Sequence, residues 1–321
     1  MMFIRLRCLL LLLLIVPIVV QAQTYPSKPL KFVVAYPPGG ANDLIARHIA
    51  GELGKGFKQS VYVENRPGAG AVVGTKALAD AAPDGYTLGW ASSTSMVTGP
   101  LLYKEVNYRP LEDFTHIVMV GTFPNALTVR ADYQAQTLQD LIARGKGNSE
   151  RINYGSAGLG SIGHLTGELL IQMTGINMVH IPYKGTAQAT LDLLGGRIDA
   201  MFDGLPTAAQ QVRAGKVRML AVTGLQREAS APDIPTLSEA VPGLSGVAWF
   251  GVAVPAKTPA AISTRLREEL VRILAATDTK KQLMDFGMTP SGISGPPFTD
   301  FIKEEIRKWG EVIKTANVKV E

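Results

Sequence analysis

Two glycine-rich segments hold the residues best suited to chemistry: Tyr36-Pro-Pro-Gly-Gly-Ala-Asn-Asp43 and Gly155-Ser-Ala-Gly-Leu-Gly-Ser161. Each places small residues between an apolar strand run and a helical pattern. Where a strand hands over to a helix, unpaired N–H groups and the positive end of the helix dipole face one spot, which suits an anion. Glycine lets those N–H groups approach a ligand with no Cβ in between. The first turn offers Tyr36, Pro38, Gly39, Gly40, Asn42 and Asp43; the second offers Ser156, Ala157, Gly158, Gly160 and Ser161, whose two serines add hydroxyl donors. A hydroxyl cluster, Ser92, Ser93 and Thr94, ends a further strand and joins the candidate set. Asp43 either caps N–H groups or pairs with a ligand amine. His164, one turn into the second helix, faces the ligand or packs the helix. Asp203 ends a strand and faces the ligand or binds its own turn. Lys184 supplies a charge or is solvated. The plain alternative is two ordinary tight turns capped by Asn42 and Ser161.

Other chemistries find less support. Gly158-Leu-Gly160-Ser-Ile-Gly163 spells G-x-G-x-x-G, but the matching strand end, His180-Ile-Pro-Tyr-Lys184, has no acid for ribose hydroxyls. No G-x-S-x-G elbow or H-E-x-x-H pair occurs. His48, His116, His164 and His180 stand singly, and His180 in its apolar strand reads as a core histidine with a backbone partner. Ser161, His164 and Asp203 can be assembled into a triad only on paper. No cofactor or metal is expected.

The elements that must position the turns alternate strand and helix, the pattern of α/β domains. Strands are expected at 31–36, 60–64, 87–91, 114–121, 126–129, 152–154, 178–182, 198–202, 218–223 and 247–254. Helices are expected at 44–53, 74–81, 138–144, 162–174, 186–194, 259–277 and 297–316. Val247–Val254 and the last two helices need a sheet to cover, and only a clamshell supplies one. The expected architecture is two lobes, each a mainly parallel sheet flanked by helices, with the ligand in the cleft. Residues 23–123 and 246–321 form lobe 1 and residues 124–245 form lobe 2.

Met1–Arg7 carries two arginines, Leu9–Val20 is uninterrupted and apolar, and Val20-Gln21-Ala22 offers small positions for cleavage. Residues 1–22 thus read as a secretory signal peptide, too short in its apolar part to span a bilayer comfortably. The single cysteine, Cys8, lies inside this leader, so no disulfide or thiol chemistry is expected of the mature chain. Export without disulfides suits the periplasm. At 46% hydrophobic and 18% charged, the 321-residue chain is neither disordered nor a coiled coil. Its formal charge of +5 includes Arg5 and Arg7 of the leader, and no Lys/Arg run exceeds a pair, which argues against nucleic acid.

The chain resembles the extracytoplasmic solute receptors of tripartite tricarboxylate transporters, the Bug receptors. The matching pieces are Tyr25-Pro-Ser-Lys-Pro29, Ala35-Tyr-Pro-Pro-Gly-Gly40 with Asp43, Val63-Glu-Asn-Arg-Pro-Gly-Ala-Gly70, and Tyr154-Gly-Ser-Ala-Gly158 with Gly160, Ser161, His164 and Leu165. Ile181-Pro-Tyr-Lys-Gly185, Asp192-Leu-Leu-Gly-Gly196, Met201-Phe-Asp203 and Trp249-Phe-Gly251 complete them in family order. Asn42 departs from a frequent Thr, and Thr186-Ala-Gln188 from a usual Gly-Ala-Pro. The resemblance implies a monomeric periplasmic receptor closing over a small organic acid, gripped by amides and waters of the two turns, with Tyr183 near the cleft. Its implied partner is a set of membrane transporter subunits. Presentation to a sensor kinase, or a secreted hydrolase or oxidoreductase working in the same cleft, are the alternative outputs.

Overall fold

The computed structural model describes residues 25–39, 41–68, 71–147, 150–183 and 185–319. The leader with Cys8, Gly40 and Lys184 lie outside the described residues. Strand β1 (Leu30–Val34), helix α1 (Ala41–Phe57), β2 (Val61–Asn65), α2 (Val72–Ala79) and β3 (Thr87–Ser92) open the chain. A π-helical turn, Thr94–Thr98, runs into a short helix α3, Gly99–Leu102, before β4 (Phe114–Phe123). Only Pro124 separates β4 from β5 (Asn125–Arg130) in the second sheet. There follow α4 (Leu138–Gly145), β6 (Ile152–Gly155), α5 (Ile162–Thr174), β7 (Met178–Ile181), α6 (Thr186–Leu194), β8 (Ala200–Gly204), α7 (Leu205–Arg213), β9 (Val217–Val222) and α8 (Leu237–Ala240). The chain then returns as β10 (Ala248–Pro255), followed by α9 (Ala260–Ala275), α10 (Thr277–Asp285), β11 (Thr289–Pro290) and α11 (Pro296–Thr315).

The first sheet has the order β11-β4-β10-β3-β1-β2 and the second β7-β6-β8-β5-β9. The mainly parallel sheets expected from the sequence are in fact mixed. Parallel pairing is confined to β1 with β2 and β3, and to β6 with β7 and β8; the pairs made by β5, β10 and β11 are antiparallel. The cause is the crossing. A strand followed by a crossover helix ends at the edge where the lobes meet, whereas β5 and β10 arrive from the other lobe and start there. Phe250 accordingly pairs with Ser92, and Asn125 with Gly204.

Strand alternation divides the first core between two faces. Phe250, Val252 and Val254 of β10 join Phe32 and Trp90 on one face, while Trp249 and Ala253 join Phe298, Ile302 and Trp309 of α11 on the other. Trp249 and Trp309 are fully buried. Ile162 and Leu165 of α5 reach into this second cluster, so the start of α5 is packed against the first lobe. The segment read as one helix over 259–277 is two, because Ala276 is extended (φ −66°, ψ 136°). Among the described residues no helix is long and apolar enough to cross a membrane.

Candidate functional site

The first turn leaves β1 with Pro37, Pro38 and Gly39 exposed. Beneath it lies Asp43, 2% exposed. Its Oδ2 accepts from the Gly39 N–H and from Arg47 Nε, both at 2.9 Å, and its Oδ1 accepts from Asn65 Nδ2 at 2.8 Å. Asn65 Nδ2 also donates to the Tyr36 carbonyl at 3.1 Å. Burial pushes the Asp43 carboxyl up, but these donors outweigh it and hold it below the usual range. Both oxygens therefore brace the turn. Asp43→Ala should lower apo-protein stability by about 3 kcal/mol, since several hydrogen bonds to a buried anion are lost, and should weaken ligand affinity at least tenfold. Melting curves and titration check this; an unshifted apo melt would remove the brace.

The neighbouring hydroxyls are similarly engaged. The Tyr36 phenol donates to Ser92 Oγ at 2.8 Å, with Thr94 also in hydrogen-bonding reach. Ser92 and Ser95 exchange bonds near 3 Å, and Ser92 and Ser93 are buried. Asn42 accepts from the Trp90 indole at 3.3 Å. Trp90 stacks on Phe250 at 5.8 Å, and Tyr36 and Phe123 meet Phe250 edge-on at 6.1 and 5.6 Å. This aromatic wall, with Phe123 and Phe250, was absent from the sequence reading. Its residues come from β3, β4, β10 and the turn after β1, far apart in the chain.

The second turn is an internally bonded knot. Gly158 N–H donates to Ser156 Oγ at 3.1 Å, Gly160 N–H to His164 Nδ1 at 3.0 Å, and Ser161 N–H to the Gly158 carbonyl at 3.2 Å. Ser161 Oγ donates to that carbonyl at 2.7 Å and accepts from His164 N–H at 3.3 Å, capping α5. The glycine donors expected to face a ligand thus have protein partners in this state. Among the described residues the Leu159 N–H has none; Leu159 is 46% exposed, and Ala157 is exposed too.

Below the knot, Ser156 Oγ shares a 2.8 Å hydrogen bond with His180 Nε2, a side-chain partner where the sequence suggested a backbone one. His180 stacks on His164 at 3.9 Å. Burial pushes His164 down to about 4; burial and then the His164 charge push His180 down to about 3. Glu168 lies 3.6 Å from His164 Nε2 and accepts from the Tyr154 phenol at 2.8 Å; burial pushes its carboxyl up.

The remaining candidates are placed as follows. The Tyr183 phenol donates to Asp192 at 2.9 Å, so it is tied to α6. Asp203 sits inside β8, opposite Ala126, not past the strand's end. Its Oδ1 accepts from Gly204 N–H at 2.7 Å, Thr186 also bonds it, and burial pushes it up to about 6. Gly185 N–H bonds the Ala157 carbonyl at 3.1 Å, bringing the start of α6 against the second turn. Ser161, His164 and Asp203 do not form a relay: the Ser161 hydroxyl caps the helix, and His164 accepts from a backbone amide. Among the described residues no cluster of three His, Asp or Glu could hold a metal ion.

Two α/β lobes joined by strand crossings, with both turns at the edge where the crossings lie, define a solute-binding clamshell. The chain belongs to the family described as "Tripartite tricarboxylate transporter family receptor", whose model matches residues 45–318. Its members are non-enzymatic periplasmic solute receptors, and delivery to a tripartite transporter is the family role. Protein BugT of Bordetella pertussis is 34% identical over 303 residues, 94% of this chain and 93% of that one. R. palustris Rpa4515, solved with adipate, is 33% identical over 92% of this chain and 99% of its own, with a TM-score of 0.76. MatC from Rhodopseudomonas palustris with bound malate is 29% identical over 90% and 100%, with a TM-score of 0.70.

Proposed function

We propose that this chain is an exported, non-catalytic receptor that closes residues 124–245 against residues 23–123 and 246–321 over a small carboxylate and delivers it to a membrane transporter. The observation that carries the ligand class is that two relatives similar over nine-tenths of the chain hold dicarboxylates, adipate and malate. The starts of α1, α5 and α6 add positive dipole ends to the strand ends around the turns. The wall of Tyr36, Phe123 and Phe250 favours an acid with a hydrocarbon or aromatic body over a compact hydroxy acid. The Ser156–His180 pair has the spacing of a nucleophile and its base. Ser156 is fully buried, however, its oxygen already bonds Gly158, and His180 is backed by another histidine rather than a carboxylate. No substrate carbonyl reaches that oxygen, which supports a receptor over a hydrolase.

Purified mature protein, beginning near Gln23 and recovered from the periplasm, should bind adipate or an aromatic acid one to one and release it unchanged. At a hundredfold excess over Kd, binding to the native state alone adds about 2.7 kcal/mol, a readily seen melting shift. Absence of a shift across linear dicarboxylates, malate and aromatic acids would sink the ligand class. Conversion of a bound acid, read by mass spectrometry, would sink the non-catalytic assignment.

A further inference from the structure

Sheet order places the pivot. β4 and β10, which carry the chain between lobes, stand with β11 on one side and β3, β1 and β2 on the other. The two candidate turns follow β1 and β6, the hydroxyl cluster lies at the end of β3, and Asp203 lies in β8. On the β11 side a separate cavity of about 730 Å³ opens between the lobes, within the usual range for small-molecule pockets. One wall is the end of α10 with β11; the other is α7 with the loop after β9. Slender contacts bridge it. The Thr289 hydroxyl donates to Glu228 Oε2 at 2.7 Å, and Gly287 lies so close to Pro206 that a Cβ there would meet the proline ring at 2.2 Å.

The lining is apolar where it meets water. Leu225, Met284 and Ile293 are 74%, 53% and 44% exposed, and all three line this one cavity. Of its four charged side chains, two are neutralised by ion pairs, and Glu228 is held by a neutral hydroxyl. Glu228 bonds Thr289, Asp285 pairs with Lys281 at 3.0 Å, and Arg227 pairs with Glu239 at 2.6 Å. The Arg213 side chain, exposed on α7, has no hydrogen bond or ion pair within the described residues. One unpaired guanidinium beside an apolar wall complements a molecule with one carboxylate and a hydrocarbon tail.

We propose that this cavity behind the hinge is a second ligand site, which takes an amphipathic monocarboxylate and favours closure of the cleft when filled. Rotation of near-rigid lobes about β4 and β10 narrows one side of the pivot as it widens the other. An occupant needing the wider rear gap binds the closed form better, and that differential affinity shifts the lobe equilibrium.

Octanoate is the probe, with spin labels at Leu44→Cys on α1 and Ala187→Cys on α6, both exposed and on opposite lobes. Octanoate should bind saturably and shorten the label distance in the full mature chain. Arg213→Ala, a surface change, should weaken octanoate about tenfold, the loss of one charge-assisted contact. Ala209→Trp, filling the cavity, should abolish the octanoate binding that depends on Arg213 and shorten the distance with no octanoate present. Octanoate binding unaltered by Arg213→Ala, bound octanoate that leaves the distance unchanged, or no binding in the millimolar range would each overturn the proposal. The Arg213→Ala comparison stands even where Ala209→Trp misfolds.

Discussion

Gly158→Val should weaken ligand capture at least a hundredfold and lower apo stability by on the order of 3 kcal/mol. The sequence gives one reason to need glycine there, close approach of a ligand. The structure gives a stronger one. Gly158 has φ +134°, a region that a β-branched residue strongly disfavours, and an added Cβ would lie 2.7 Å from the Tyr183 carbonyl oxygen. That carbonyl is fixed by the backbone that brings Gly185 N–H to Ala157. Relief of the clash must therefore open the join between the second turn and α6. Gly158 also donates to Ser156 and accepts from the backbone and hydroxyl of Ser161, so the knot and the α5 cap would be disturbed together. Loss of binding with an intact apo melt would mean that the glycine serves ligand approach alone. A lowered apo melt, with adipate affinity down at least a hundredfold, is the expected result. Gly51→Ala is the control: that glycine is helical, has nothing within 4 Å of a Cβ, and should gain up to about 1 kcal/mol.

The same residue marks how far the sequence could be read. Helices 162–174 and 186–194 were legible because Ser161 caps one, Gly175 ends it in a left-handed conformation, and glycines bound the other. Helix α7 escaped because only Leu205 and Ala208 are buried on it, too few for a stripe, and Pro206 at its start reads as a breaker. Helix α10 buries only Thr279 and Leu283. No helix is expected over Thr94–Leu102, because Thr94, Ser95, Thr98, Gly99 and Pro100 break up any apolar period there. Among site residues, local turn chemistry was legible and long-range pairing was not. No spacing rule connects Ser156 to His180 or Asn42 to Trp90, because each pair meets only after a crossover returns a strand to the sheet. Nor could composition tell that Asp43 braces its own turn, since its partner Asn65 comes from the next strand.

Acidification from pH 6.5 to 4 should cost several kcal/mol of stability, with the slope set by buried histidines. His116 and His164 are held down to about 4 and His180 to about 3, first by burial. For His164 the geometry shows why. Its Nδ1 accepts the Gly160 N–H, so a proton there would set donor against donor, and a charged His180 stacked at 3.9 Å would repel it. Unfolded, all three titrate near 6.5. Between the two ranges the unfolded chain binds more protons, so stability is fully present above about 6.5 and erodes by up to about 1.4 kcal/mol per pH unit for each histidine. Asp203, raised to about 6, and Glu168, also raised, act in the opposite sense, because the native state takes up their protons first. They offset part of the slope set by the three histidines and leave its direction unchanged, with stability falling as pH drops. Below about 3.8 the Asp43 brace is lost in turn, since its depressed carboxyl stabilises the fold only while ionised. Urea melts from pH 4 to 8 should show this slope, and His164→Gln with His180→Gln should flatten it or reverse its sign while lowering stability at pH 7.5. An unchanged slope in that double variant would place the acid sensitivity elsewhere; a flattened one would show that the second turn is stable only over a neutral imidazole pair.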